Sequence, residues 1–427
     1  LTNVGFHWWF RGIYVDPTDE NIIYNVDFRV QKSTDGGQSW SNSFSNVHVD
    51  QHAMAFSPNN PQNILLGNDG GLYESQNGGN TSLKYTTLPI TQLYRFHVDA
   101  QDDSKIYAGA QDNNTIRTTT GDTDNWNPIY GGDGFQPLVD PNNTNVIYAL
   151  SQRGNLGKSI NDGASFFGAM SGISNSDRKN WDTPIAFDPS DSQTLYYGAN
   201  RLYKTTNAAG NWSVISPDLT KNEIAKHGPG GGPYTNEAAG GENYNTLTAL
   251  VESQHEQGVL YAGSDDGLIH ITKNGGESWE NITPPGIKDG IINSIDISQH
   301  NPATAYVVIM RYKSMDLNSH IFKTNDYGQT WTKIINGLND PNGFARVVRA
   351  DKKQQGLLYA GTETGLYVSN DDGAFWQRLK LNLPVVAIND LIIQDNDLVA
   401  ATSGRGFWIL DDLGALQNNS SYSKAIE

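Results

Sequence analysis

Residues 33–40, Ser-Thr-Asp-Gly-Gly-Gln-Ser-Trp, set a carboxylate, a glycine pair, small hydroxyls and an indole within eight positions. The same order, Ser/Thr-x-Asp/Asn-x-Gly-x-x-Trp, is met at Ser33/Asp35/Gly37/Trp40, Thr272/Asn274/Gly276/Trp279, Thr324/Asp326/Gly328/Trp331 and Ser369/Asp371/Gly373/Trp376. A variant, Ser159/Asn161/Gly163/Phe166, has Phe for Trp. Acid, glycine and hydroxyl together suit a cation or phosphate loop. They equally suit a hairpin in which the Asp or Asn accepts from backbone N–H groups two residues on, the Gly takes a positive φ, and the Trp lies over the turn as an apolar lid. On this reading every part has a local job. Asn stands for Asp at 161 and 274. That exchange would weaken a cation site but leaves a turn intact, so the pattern reads as a structural fastener.

Working outward, each turn closes a unit of fixed order: an apolar strand ending near Asp-Pro, a polar loop, a strand like "IYAG", a second turn, a strand like "GLYxS", then the fastener. Nine copies run at 12–40, 53–79, 94–126, 136–166, 184–212, 247–279, 292–331, 345–376 and 388–413. Each offers three or four short alternating strands, an antiparallel meander that cannot bury both faces alone. Stacking such meanders in a ring solves that problem, so the expected fold is an all-β β-propeller of four-stranded blades. The count gives eight or nine blades in one propeller over 1–413. A Gly-rich excursion at 218–245 is expected as a loop over one face, and 414–427 as a tail or linker.

Composition agrees with a turn-rich β protein. There are 44 Gly, 20 Tyr, 14 Phe and 10 Trp in 427 residues, with 18% charged. The net charge of −17 without a Lys/Arg cluster argues against nucleic acid. No apolar run approaches the roughly 18 residues of a membrane-spanning helix. The amino end, "LTNVGFHWWFRG", lacks the pattern of a signal peptide, which points to a start inside a longer precursor. With Cys absent, no disulfide or thiol chemistry is available.

The fastener, with "HVDQHAMAFSPNNPQNILLGNDGGLY", "GGDGF", "ISPDLT", "AGGENYNTLTAL", "GLLYAGTETGLYVSNDDG" and "DNDLVAATSGRGFWILDDL", resembles the Asp-box or bacterial neuraminidase (BNR) repeat proteins. Nearly the whole chain is similar to a sortilin-like subgroup of large secreted bacterial proteins often labelled glycosyl hydrolases. The resemblance implies a secreted, periplasmic or cell-surface propeller. It also implies an extracellular protein, peptide or polysaccharide partner held at the channel mouth, with the boxes on the opposite rim. Separately from the resemblance, a chain that begins and ends in mid-pattern gives a third expectation, an architectural repeat of a larger surface protein. The opening "FRGIYVDPTDENIIYNVDFRV" is similar to the first blade of the xyloglucanases, but the Thr-Asp-Val-Gly-Gly run holding their catalytic Asp is absent, and Asp27 lies near without matching. The Arg-Ile-Pro motif of sialidases is absent too.

In a propeller the turns after the "YAG" strands face the channel mouth, where ligands bind by default. They place Asp69, Asp112, Asp265, Asp266, Glu363 and Arg405 there, with Asp133, Glu242 and Tyr244 near unit starts. Asp69, Asp112, Asp133, Glu242, Asp265 and Glu363 are the candidates for acid/base work on a glycosidic bond. Trp8, Trp9, Tyr130, Tyr234 and Tyr244 are candidates to stack on a ligand. On an extended segment His48, Asp50 and His52 would share one side, a candidate site for a divalent metal, although no cofactor is required by the reading.

Overall fold

Residues 345–379 show how the repeat folds in the computed structural model of this chain. "ARVVRA", "LYAGT" and "GLYVS" form the antiparallel strands Ala345–Ala350, Leu358–Thr362 and Gly365–Ser369, and Gln377–Leu379 adds an outer fourth. Because side chains alternate between faces, Val347, Tyr359, Leu366 and Val368 meet the following sheet, while Val348, Ala350, Leu358 and Ala360 meet the preceding one. Coverage of both faces explains why the second strands are apolar throughout. It also explains the "YAG" glycine: a Cβ on Gly361 would lie 2.7 Å from Cγ2 of Ile388 on the next sheet.

The structure describes residues 12–227 and 243–418. Within them the nine repeats appear as nine sheets, numbered here in chain order: 12–42, 51–84, 93–130, 138–168, 185–214, 247–281, 291–333, 345–379 and 388–410. Sheet 9 has three strands and the others four, each an antiparallel meander.

Two compact units are present, Leu1–Ile90 and Thr91–Glu427. In the first, sheets 1 and 2 pack through Tyr24, Val26, Val30, Phe44, Ile64 and Leu66. In the second, sheets 3 to 9 pack each on the next, and sheet 9 returns to sheet 3. Val399 and Ala401 lie against Leu93, Phe96 and Val98, and Nδ2 of Asn389 donates to the Leu93 carbonyl at 2.6 Å. The second unit is therefore a ring of seven sheets. The expectation of one ring of eight or nine blades over 1–413 is corrected accordingly: repeats can be counted along a chain, but closure depends on which faces meet. The expected tail is corrected in part, since Leu413 and Leu416, the latter in the short helix Gly414–Gln417, are buried against sheets 8 and 9.

The repeated turn joins the third and fourth strands. In it Ser33 Oγ donates to Asp35 Oδ1 at 2.8 Å, Gly37 N donates to Ser33 Oγ at 2.9 Å, and Ser39 N donates to Asp35 Oδ1 at 2.8 Å. The acid thus serves the N–H four residues on, and the hydroxyl serves the nearer ones. Asn274 accepts from Ser278 N at 3.0 Å in the same way, which accounts for the Asp/Asn exchange. Two further copies escape the sequence template: Ser75/Asn77/Gly79, without Trp, and Thr205/Asn207/Trp212, where Ala209 takes the glycine's place at φ 62°.

The Trp and the Gly of the turn serve the neighbouring sheet in addition to their local jobs. The indole N–H groups of Trp212, Trp279, Trp331 and Trp376 donate to the carbonyls of Ala169, Ile215, Ile282 and Ile334 at 2.8, 3.0, 2.6 and 2.9 Å. Each acceptor directly follows the fourth strand of the preceding sheet. Gly276, Gly328 and Gly373 do take positive φ, at 101°, 87° and 85°, yet they answer to the same neighbour. A Cβ on Gly276 would lie 2.6 Å from the Ile215 carbonyl oxygen, and one on Gly328 or Gly373 would lie 2.4 or 2.5 Å from Cδ1 of Ile282 or Ile334. The preceding sheet presses on the turn at the place where a side chain would stand, so these glycines supply room as well as a backbone angle.

Third-strand cations make the return contact. Lys32 reaches the Gly78 carbonyl at 3.1 Å, Arg117 reaches Asp162 at 2.6 Å, Lys158 reaches the Ala208 carbonyl at 2.7 Å, and Lys323 pairs with Asp372. The repeated turns fasten neighbouring sheets to one another.

Candidate functional site

A meander puts its repeated turns on one rim and its second-to-third-strand turns on the other, together with the links between sheets. In the seven-sheet ring this second rim is the channel mouth. The expected residues there sit in local networks. Asp133 is buried and accepts from the Asp112 backbone N–H at 2.7 Å. Asp266, fully buried, accepts from Ser264 Oγ at 2.5 Å, Lys221 N at 2.8 Å and Asn245 Nδ2 at 2.5 Å, tying the foot of the 218–245 excursion to the ring. Glu363 accepts from Arg346 Nε at 2.5 Å, and Arg346 Nη1 donates to Asn389 Oδ1 at 3.0 Å. The exposed Arg405 is held through its backbone N–H, which donates to Thr402 Oγ1 at 3.0 Å.

Asp265 differs from these. Half-buried, it accepts from Thr246 N at 2.9 Å and Thr246 Oγ1 at 2.8 Å, and Asn180 Nδ2 donates to that same hydroxyl at 2.8 Å. Burial and the neighbouring Asp266 push its carboxyl up to about 7, against the two Thr246 bonds and Lys313.

Tyr244 is buried and donates to Glu223 Oε2 at 3.2 Å, so it is not a stacking platform. Tyr130 packs on Phe166 with ring centres 4.9 Å apart. Glu242, Trp8, Trp9 and Tyr234 lie outside the described residues. In the first unit, Asp69 accepts from His52 Nε2 at 2.6 Å. The expectation of one extended side for His48, Asp50 and His52 is corrected by the backbone: Asp50 has φ 66°, the strand begins only at Gln51, and His48 Nδ1 turns to the Val49 carbonyl at 2.9 Å.

Sequence reasoning missed the channel wall. Arg95, Asp182, Asn293, Ser294, Arg349 and Asp390 surround a cavity of about 100 Å³ in the ring. Arg95 Nε donates to Asp182 Oδ2 at 2.9 Å and Nη2 to Asn293 Oδ1 at 3.3 Å. Arg349 donates to Asp390 Oδ1 at 2.7 Å and Ser294 Oγ at 2.8 Å. Burial raises the Asp182 carboxyl despite Arg95. At the mouth Tyr94, Phe135 and the half-buried Trp181 form an aromatic cluster, with ring centres 4.7 Å and 6.1 Å apart along the series. Arginine in an otherwise apolar inner strand, once in "LYRFHV" and twice in "ARVVRA", was the available signal.

No protein-family model and no curated protein matches this chain. Among solved structures it is similar to YCF48 from Cyanidioschyzon merolae (TM-score 0.52, 12% identity, covering 76% of this chain and 97% of that one). It is similar also to a GH74 enzyme from Niastella koreensis (0.32, 17%, 96% and 68%) and to the GH74 xyloglucanase from Xanthomonas campestris (0.31, 16%, 94% and 69%). These neighbours are β-propellers, and the likeness to YCF48 agrees with the fold built above.

Proposed function

We propose that the seven-sheet ring is a binding propeller of the sortilin-like Asp-box group, which takes an extracellular protein, peptide or glycan at its channel mouth. One observation supports binding over catalysis: Asp133, Asp266 and Glu363 already accept hydrogen bonds or an arginine pair from their own rim. Carboxylates committed in this way hold a surface in shape and leave the exposed Arg405 and the half-buried Trp181 to meet a ligand. The secreted or surface location follows from the same resemblance.

A glycoside hydrolase is the second reading, and Asp265 favours it. A carboxyl raised to about 7 is suited to protonate a leaving glycosidic oxygen. The test is a polysaccharide panel with reducing-end detection, run beside glycan and peptide arrays. The binding reading expects retention without product, weakened by Arg405→Ala. Product release abolished by Asp265→Asn would replace it with the hydrolase reading.

A further inference from the structure

In the ring every sheet's leading face is covered by the sheet before it. Asp16 ends the first strand of sheet 1 and Asp351 directly follows that of sheet 8, and the pairing makes Val15 equivalent to Ala350, Ile13 to Val348, and Ile23, opposite Val15, to Leu358, opposite Ala350. Val348 and Ala350 are 0% and 7% exposed beneath sheet 7, whereas Ile13 and Val15 are 59% and 48% exposed. Sheet 3 is no exception inside the ring, since sheet 9 covers its Phe96 and Val98.

The fastener changes along with the face. Four indoles donate to the preceding sheet, but Trp40 Nε1 turns back to its own turn and donates to the Gly37 carbonyl at 3.1 Å. The glycine changes too. Where Gly276, Gly328 and Gly373 are pressed by a neighbouring isoleucine, a Cβ on Gly37 would meet, among the described residues, nothing nearer than its own Trp40 at 3.7 Å.

We propose that this face of sheet 1 is a docking surface for one further four-stranded sheet of the same repeat, seated as sheet 7 sits on sheet 8. The occupant is defined by what the face lacks. It brings apolar side chains to cover Ile13, Val15 and Ile23, and a main-chain carbonyl just past its fourth strand to take the Trp40 N–H. It also brings a third-strand Lys or Arg to the turn at Gly36, as Lys32 reaches the equivalent Gly78 in sheet 2. A single extended peptide can supply the first of these but not the second and third in matched positions, and a polysaccharide has no apolar side chains, peptide carbonyl or Lys/Arg to supply.

The chain has no cysteine, so Val15→Cys carries a single thiol. Its maleimide labelling rate is compared in the full chain and in the full chain preceded by an unmutated second copy of residues 1–90. Ser41→Cys on the exposed outer strand serves as the control. The expected result is rapid labelling of Val15→Cys in the chain by itself, and labelling at least about tenfold slower in the extended chain, with the control unchanged. A second extension, residues 291–380, guards against an added pair that does not fold; unaltered labelling with both extensions overturns the proposal. Slow, concentration-dependent labelling in the unextended chain would show a second copy of the molecule on this face, and would overturn it as well.

Discussion

Trp376 and Trp40 occupy the same place in the same turn, yet one lies buried between two sheets and the other lies half-buried against its own hairpin. The difference shows that the turn alone does not determine what its indole contributes; the neighbouring sheet does. The comparison breaks most visibly on truncation. Trp376→Ala should cost about 3–5 kcal/mol, the usual range for removing a fully buried aromatic, whereas Trp40→Ala should cost about 1 kcal/mol, as for an ordinary position outside the core. Denaturant midpoints at constant m-value measure both, and equal losses would make the turn, not the interface, the seat of the stability.

Trp→Phe sharpens the same contrast by keeping most of the ring and removing the donor. At Trp376 it leaves the buried Ile334 carbonyl without its N–H, a loss of about 1–3 kcal/mol. At Trp40 the exchange should stay within about 0.5 kcal/mol, as at a surface site. Within the turn, Asp371→Ala is expected to lower stability by about 1 kcal/mol through the lost bonds to Ser369 and Phe375, the scale of a lost capping side chain. Asp371→Asn should be nearly neutral by thermal melting, since Asn161, Asn207 and Asn274 already fill that role.

These contrasts follow the line between what the sequence reveals and what it conceals. Strands, meanders and fasteners are encoded within about 40 residues, so "GLYVSNDDGAFW" can be read locally. Closure rests on Asn389 reaching Leu93, 296 residues away, between faces whose composition matches every other sheet face. No local pattern distinguishes sheet 9 meeting sheet 3 from sheet 9 continuing the stack. The mouth was legible as a rim, because turns after "YAG" must point away from the fasteners. Its wall was not, because Arg95, Asp182, Asn293, Arg349 and Asp390 come from separate segments and become a site only when the ring brings them together. The indole bonds between sheets were hidden for the same reason: the acceptor is a backbone carbonyl, which leaves no trace in residue type. Gly328 and Gly373 conceal their second duty likewise, since a glycine required by its φ and one required by a neighbour's isoleucine are the same letter.

The remaining contrast concerns Asp265, and it sets the mouth rim against the fastener rim through the sign of a pH dependence. Asp35 is held at about 2 by the Ser39 and Ser33 bonds, so its contribution is present above the ordinary carboxylate value and is lost as pH falls through about 2. Asp265 runs the opposite way. Raised to about 7, it binds a proton in the folded state that the unfolded chain has already released above about pH 4. Stability therefore declines as pH rises from about 4 to 7 and levels off beyond. Asp265→Asn keeps an acceptor for Thr246 N and cannot ionise, so it should flatten that decline and melt above the parent at pH 8, with no difference near pH 4. A melting series at several pH values checks this. A variant that follows the parent curve throughout would place the neutral-range proton on another group, and would remove the one observation that favours acid catalysis at the mouth.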